Sequence, residues 1–228
     1  MRLPLILAFL TAAVAVLLSC GSSPPSHSSG IHNQYNRPAP RSYSGPKPQI
    51  TEAFIRKGSY GRHRTRHMSP NFITIHSTQN YSSGGGARAH ARMLQRGALK
   101  GRKNSLGYIT WHFTVDDHSI YQSLPTNEQG QHADYEGPGN RYSIGIEMCE
   151  NRGNSREQTM EKTAQLTAYL LKKHRIPLRN VVPHQHWRMI RYADGRDLGH
   201  KNCPHFLMTN GKPGWKWQAF IKRIEKYL

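Results

Sequence analysis

The chain has 228 residues, with 32 Lys and Arg against 13 Asp and Glu, and a formal net charge of +19 at pH 7. This length suits one domain with a substantial core, and the charge implies an anionic neighbour such as nucleic acid, an anionic membrane or an anionic cell wall. Nucleic acid is excluded, because the basic residues are spread along the whole chain without a known nucleic-acid motif and the N-terminus indicates export.

The first residues predict a targeting segment. Arg2 supplies a positive charge, Leu3 to Leu18 is almost entirely apolar, and Cys20 follows closely. Such a run is typical of a signal peptide, and LLSC resembles a bacterial lipobox, whose cysteine is diacylated before cleavage. We therefore expect a lipoprotein signal peptide over residues 1–19, a lipid on Cys20, and an exported, membrane-anchored lipoprotein of the bacterial cell envelope. The alternative is an ordinary signal peptide that ends near a cysteine.

A flexible tether is predicted for residues 20–50. This stretch is rich in Ser, Pro, Gly and Asn and has few aliphatic side chains. Such a composition cannot bury enough apolar surface to fold. The folded part is then a single domain over residues 51–228.

Strands and helices alternate within residues 51–228. Apolar or alternating runs predict strands at 71–76, 108–117, 119–125, 142–149 and 181–184. Periodic apolar residues predict a short helix that follows a glycine-rich loop and ends near Gly97, a long helix from Arg156 to Lys173, and a last helix from Trp215 to Tyr227. The fold class is therefore α/β, a single domain with a central mixed β-sheet flanked by helices.

Two histidines and a cysteine lie at the ends of predicted strands or in the loops after them. They are His76 in ITIHST, His184 in VVPHQHW and Cys203 in KNCPH. Two imidazoles and a thiolate are good ligands for Zn²⁺, and three protein ligands leave a fourth position open, which is the arrangement of catalytic zinc sites. Spacing alone leaves alternatives open, since His186 and His200 are near enough to compete as ligands. A disulfide between Cys149 and Cys203 is the other reading of Cys203.

Several longer runs carry a resemblance to a known family. In chain order they are ITIHST, WHFTVDDHSIYQSLP, QHA, NRYSIGIEMCEN, VVPHQHW and KNCPH, from about Asn71 to about His205. Together they resemble the type 2 family of zinc-dependent N-acetylmuramoyl-L-alanine amidases, which includes phage lysozyme-like enzymes and is related to the peptidoglycan recognition proteins. The resemblance implies hydrolysis of the amide bond between N-acetylmuramic acid and L-alanine of peptidoglycan, in cell-wall remodelling, turnover or lysis.

The resemblance also implies roles for individual residues. The metal ligands would be His76, His184 and Cys203. Lys201, two residues before the cysteine, would stabilise the transition state, and Glu147 in the SIGIE strand would be the acid–base residue.

Three further residues, Trp111, His112 and His132, fall in the matching runs and are expected to bind substrate in the cleft. Some phage members have a catalytic tyrosine where this chain has Trp111, so Glu147 is expected to act alone. The other departure is a charged stretch over residues 188–200, which looks like an inserted loop beside the site.

Two other functions remain open. One is a non-catalytic peptidoglycan-binding module on the same fold, and the other is a basic envelope adhesin or scaffold. All five implied site residues are present, which favours the enzyme. We expect the protein to act as a monomer, although the sequence itself does not show the oligomeric state.

Overall fold

The computed structural model describes residues 42–101 and 105–228. The predicted signal peptide, Cys20 and most of the predicted tether lie outside these ranges. Within them, no helix combines the length and apolar character needed to cross a bilayer.

Twelve strands lie in the described ranges, and six of them form one mixed sheet. In chain order the strands are β1 (Thr51–Glu52), β2 (Phe72–Ser77), β3 (Lys100–Gly101), β4 (Gly107–Tyr108), β5 (Phe113–Val115), β6 (Ile120–Gln122), β7 (Ser143–Met148), β8 (Val181–Pro183), β9 (Arg188–Ile190), β10 (Asp197–His200), β11 (Met208–Thr209) and β12 (Lys212–Pro213). The main sheet has the order β1-β6-β5-β7-β2-β8, and β5, β7, β2 and β8 run parallel. The mixed sheet predicted from the sequence is confirmed.

The two faces of the sheet are built from alternating residues. In β2, Ile73 and Ile75 are fully buried in the apolar core, whereas Thr74 and His76 occupy the intervening positions and point to the opposite face. In the parallel partner β7, Glu147 lies directly beside His76. One face of the sheet therefore carries the core, and the other carries polar side chains.

Within the described ranges, four α-helices flank the sheet. They are α1 (Ala87–Gln95), α2 (Pro138–Tyr142), α3 (Arg156–His174) and α4 (Trp215–Glu225). The long helix α3 begins at the N-cap Ser155, whose side chain accepts a hydrogen bond from the Gln158 amide, and ends at Arg175 in the left-handed conformation. Apolar residues of α3 and α4 cover the core face of the sheet. The predicted positions of α1, α3 and α4 are confirmed to within two residues at each end.

The N-terminal boundary of the folded part lies earlier than predicted. Ser42 Oγ donates a hydrogen bond to the Leu228 carbonyl over 2.8 Å, and the Ser44 amide donates to the Tyr227 carbonyl over 3.0 Å. The Tyr43 ring packs edge-on against Tyr169, with ring centroids 5.8 Å apart. The tether predicted over residues 20–50 was therefore wrong for residues 42–50, because Tyr43 supplies apolar area that docks this stretch on the core.

The run predicted as one strand over residues 108–117 is divided. Tyr108 belongs to a small hairpin in which β3 pairs with β4, while regular pairing in the main sheet starts only at Phe113. Thr110 makes a single bridge to Gln131 between them. Regular strand pairing is therefore interrupted between Tyr108 and Phe113.

Candidate active site

The carboxyl ends of neighbouring parallel strands bring the candidate residues together. His76 lies near the end of β2, Glu147 near the end of β7, and His184 follows β8 directly. Ligands commonly bind at this edge of a parallel sheet, because the strands stop there and the following loops diverge. The structure thus places these three side chains at one edge of the sheet.

Cys203 reaches the same point from a loop. Its carbonyl accepts a hydrogen bond from the Gln185 amide over 3.0 Å, and its Sγ lies 3.4 Å from the Ser77 amide. One donor atom each from His76, His184 and Cys203 lie within 4.8 Å of one another, and all three residues are buried. These three side chains could hold a metal ion.

Two backbone carbonyls determine the proton positions of the histidines. His184 Nε2 lies 2.8 Å from the Ala133 carbonyl, and His132 Nε2 lies 3.3 Å from the Ser143 carbonyl. A carbonyl only accepts, so both Nε2 atoms carry the proton and both Nδ1 atoms are bare. His132 Nδ1 lies 3.1 Å from His76 Nε2, which must therefore donate, and His76 Nδ1 is bare as well.

The bare Nδ1 atoms of His76 and His184 lie only 3.0 Å apart. Burial, followed by the proximity of His184, holds the pKa of His76 well below its usual value. Burial likewise lowers the pKa of His184 to about 4, with the charge of Lys201 acting in the same direction. Two neutral imidazoles thus direct lone pairs at one point, an arrangement that a cation stabilises and an empty site does not.

Cys203 completes this donor set as a thiol. Burial raises its pKa to about 12, so the free side chain is protonated, and a bound metal ion would remove the proton. Cys149 and Cys203 are both free and buried. The alternative of a disulfide between them is not realised in the structure.

The competing histidines lie outside the donor set. His186 stacks with Phe72, at a centroid distance of 6.4 Å, and His200 Nδ1 lies 2.8 Å from the Gln185 carbonyl. Neither belongs to the buried group of ligand atoms. The choice of His184 over His186 and His200 agrees with this geometry.

An open cleft of about 220 Å³ is lined by His76 and His184, two of the three donors. Glu147 and Lys201 both line it, and Glu147 Oε1 lies 3.9 Å from His76 Nδ1. The Glu147 side chain is 14% exposed, and its Oε2 finds no hydrogen-bond donor among the described residues. Burial raises the pKa of this carboxyl to about 7, although the charge of Lys201 opposes the shift.

The expectation that Trp111 and His112 line the cleft was wrong. Trp111 packs in a small apolar cluster with Ile55 and Leu94, and its indole N–H donates to Thr114 Oγ1 over 2.7 Å. His112 is fully buried, with its Nε2 2.8 Å from the Glu128 carbonyl and its Nδ1 accepting from the Gly145 amide. Both side chains are buried, and neither lines the cleft.

His132 does line the cleft, but its contacts give it another task. It hydrogen-bonds to His76, and its ring packs over Gly145, where an added Cβ would lie 2.8 Å from His132 Cγ. A glycine is thus required at that position of β7. His132 orients a candidate metal ligand, a role the sequence alone did not indicate.

Asn140 is a further residue that sequence reasoning missed. Its Oδ1 accepts hydrogen bonds from the amides of His132 and Ala133, each over 2.8 Å. This holds the loop that presents the His132 ring and the Ala133 carbonyl. Asn140 is the first residue of the run NRYSIGIEMCEN, which carries part of the family resemblance, but the resemblance implied no role for it.

The stretch over residues 188–200, expected as an inserted loop, forms a hairpin. Strands β9 and β10 pair antiparallel, and ion pairs join Arg188 to Asp197 and Arg191 to Asp194. Met189 from this hairpin lines the cleft, together with Ile109 and Tyr135. The insertion therefore supplies part of the cleft rim.

Comparison with known proteins gives consistent matches. The family model for N-acetylmuramoyl-L-alanine amidase matches residues 66–206. N-acetylmuramoyl-L-alanine amidase XlyA of Bacillus subtilis (strain 168) is 47% identical over 154 residues, which are 67% of this chain and 43% of XlyA. CwlH of the same organism, also an N-acetylmuramoyl-L-alanine amidase, is 38% identical over 159 residues, 69% of this chain and 54% of CwlH. The chain spans about half the length of these curated relatives.

Solved structures show the same fold. The catalytic domain of XlyA superposes with a TM-score of 0.63 at 38% identity, over 77% of this chain and 99% of that domain. A mutant endolysin from Bacillus subtilis gives a TM-score of 0.64 at 38% identity, over 78% and 99% of the two chains.

Removal of the His132 imidazole tests its orienting role. We expect His132→Phe, which keeps a flat ring over Gly145, to weaken Zn²⁺ binding about 10–100-fold, because the partners that orient a ligand typically contribute that much to metal affinity. Competition with a chromophoric chelator measures this affinity. His90→Phe is the matched control, since His90 is buried but outside the donor set. Equal affinity in both variants would contradict the role.

Proposed function

Because this chain belongs to the N-acetylmuramoyl-L-alanine amidase family, we propose that it hydrolyses the amide bond between N-acetylmuramic acid and L-alanine of peptidoglycan, with Zn²⁺ as its metal. The observation that carries the proposal is the convergence of two bare imidazole nitrogens and a thiol beneath a cleft that also holds a carboxyl and an ammonium group. In metal-assisted hydrolysis of an amide, the two nitrogens and the thiol can hold the metal, the carboxyl can transfer protons, and the ammonium group can stabilise negative charge.

The donor set fits zinc. Neutral imidazole and thiolate are among its preferred ligands, and His76, His184 and Cys203 would leave one position free. When bound in such a site, zinc lowers the pKa of water to about 7 and polarises a carbonyl.

Glu147 is placed to move protons. The residue lines the cleft, its Oε2 has no hydrogen-bond donor among the described residues, and its pKa of about 7 lets the carboxyl accept and return a proton near neutral pH. The hydrolysis reaction uses such a group twice, once to take a proton from water and once to protonate the leaving amine of L-alanine. Glu147 can do both in turn.

Lys201 is placed to stabilise negative charge. It lies at the rim of the cleft two residues before Cys203, and it is exposed, so its ammonium group can approach bound substrate. The tetrahedral species formed during amide hydrolysis carries a negative oxygen. A positive charge held beside that oxygen stabilises the transition state more than the ground state.

The cellular setting is part of the same proposal. We infer export by the segment over residues 1–19, attachment to a membrane through a lipid on Cys20, and action as a monomer on cell-wall peptidoglycan. The strongly positive chain agrees with an anionic wall as its surroundings.

The first test incubates the full chain with purified peptidoglycan and identifies the released fragments by mass. We expect free stem peptides that begin with L-alanine, lost on chelation and restored by Zn²⁺. Cys203→Ser should lower zinc content and product together. Folded, zinc-loaded protein that binds muropeptides without releasing fragments would instead favour the non-catalytic binding module.

Substitution of the Glu147 carboxyl separates catalysis from metal binding. We expect Glu147→Gln to keep its zinc content and to lose about 10²–10⁴-fold in kcat, because the amide cannot exchange protons. Glu157→Gln, an exposed change on α3, should retain full activity. Normal turnover by Glu147→Gln would require a different base.

The lipid anchor has its own test. In the native bacterium or a bacterial host, Cys20→Ala should move the protein from the membrane fraction to the soluble fraction, as followed by immunoblotting. Membrane association that persists in this variant would show that charge, not lipid, holds the protein there.

A further inference from the structure

A long stretch of the chain contains no acidic residue. Between Ala53 and Val115, 63 residues include eleven Lys and Arg and no Asp or Glu. All 13 acidic residues lie outside it. The positive charge of the protein is therefore locally unbalanced, in addition to being high overall.

Two arginines of this stretch find acidic partners elsewhere in the chain. Arg62 pairs with Glu128 and Arg66 with Glu136, each over 2.8 Å. Other basic residues of the stretch are exposed and form no ion pair with any residue that the structure describes. We call five of them the basic face, namely Arg56, Lys57, Arg88, Arg92 and Arg96.

The basic face has a linear core. Arg88 and Arg92 on α1 and Arg96 at its C-cap follow one another at intervals of four residues, so they form a single row with a rise of about 6 Å between neighbours. The neighbouring segment is held against this helix, since Gln95 Nε2 donates to the Phe54 carbonyl over 3.5 Å and Ile55 packs with Leu94. Like charges in such a row repel one another unless an anion lies between them.

The chemistry of the face selects the kind of anion. Four of its five residues are arginines, whose planar guanidinium matches phosphate oxygens in a bidentate manner. A bilayer-binding helix inserts apolar residues into lipid, but the apolar side of α1 is already buried in the protein. The exposed residues of α1 are Arg88, Ala89, Arg92 and Gln95, and the C-cap Arg96 is exposed as well. The face therefore suits a chain of charges better than a membrane.

We propose that the basic face is a docking surface for a linear phosphodiester polymer that surrounds the peptidoglycan. No residue of α1 lines the cleft, so the polymer and the substrate occupy separate parts of the domain. Docking would hold the domain on the phosphodiester polymer while the cleft binds peptidoglycan. The proposal concerns binding alone and does not depend on hydrolytic activity.

The test compares two triple variants of the full chain that carry the same net charge. Arg88→Gln, Arg92→Gln and Arg96→Gln together lower the charge from +19 to +16, and so do Lys216→Gln, Lys222→Gln and Lys226→Gln, three exposed residues on α4 and at its C-cap. Glutamine preserves helix propensity in both cases. Affinity for immobilised poly(glycerol phosphate) is measured over a range of salt concentrations.

We expect the α1 variant to bind about tenfold more weakly, which corresponds to the loss of three exposed charge contacts. Its slope of log affinity against log salt should fall by about 2, as for the loss of three contacts to a flexible polyanion. The α4 variant should stay within about twofold of the parent. Equal losses in the two variants would show that only total charge matters, and would overturn the proposal.

Two further arms separate the sources of charge. Vesicles of phosphatidylglycerol replace the polymer in one, and peptidoglycan stripped of phosphate polymers replaces it in the other. A loss specific to the α1 variant that is larger on either of these than on the polymer would assign the face to lipid or to stem-peptide carboxylates and overturn the proposal. Arg56→Gln with Lys57→Gln, outside the helix, is a second variant that should weaken polymer binding even if the α1 variant unfolds.

Discussion

The site depends on one electrostatic constraint, the approach of two unprotonated imidazole nitrogens to 3.0 Å within a buried pocket. The Ala133 carbonyl accepts the Nε2 proton of His184, which leaves the Nδ1 lone pair of His184 free. The Ser143 carbonyl accepts the Nε2 proton of His132, and His132 Nδ1 in turn accepts the Nε2 proton of His76. The Nδ1 lone pairs of His184 and His76 are therefore directed at the same point. In the absence of a cation these lone pairs repel each other, and the nearby thiol contributes no charge. The loop that Asn140 holds and the glycine beneath the His132 ring both serve to maintain this arrangement. A bound metal ion would thus convert a destabilising feature of the fold into a stabilising one.

The sheet separates this constraint from the apolar core. Alternation along β2 and β7 sends isoleucines to the face covered by α3 and α4, and sends His76 and Glu147 to the other. Because neighbouring parallel strands stay in register, the histidine and the carboxyl arrive at the same height without any loop to position them. His184 follows β8 directly, whereas Cys203 and Lys201 come from a loop, and hydrogen bonds with the Gln185 and Ser77 amides hold the cysteine. The sheet therefore positions His76 and Glu147, and the segments after it bring the other candidate ligands to them.

Sequence reasoning anticipated whatever a local pattern determines. The period of α3 and the alternation in β2 and β7 predicted those elements, and the ordered runs from ITIHST to KNCPH identified the three donors that the fold brings together. Trp111 and His112 were misplaced because membership of a matching run does not say which way a side chain points when a strand is interrupted, as happens between Tyr108 and Phe113. The hydrogen bond from His76 to His132 escaped prediction because it joins residues 56 positions apart. The sequence analysis did not predict that residues 42–50 pack on the domain, because the average composition of residues 20–50 hides the contribution of Tyr43 and Ile50, the apolar residues that contact the core.

The contact between the two ends of the described chain has a mechanical consequence. Ser42 and Ser44 are hydrogen-bonded to Leu228 and Tyr227, and Tyr43 packs on the core beside α3. A force applied to the polypeptide before Ser42 would act first on these contacts and on the helices that cover the core face of the sheet. The cleft lies on the opposite face of the sheet. Such a force would therefore break the contacts of residues 42–44 before it changed the distances between the histidines.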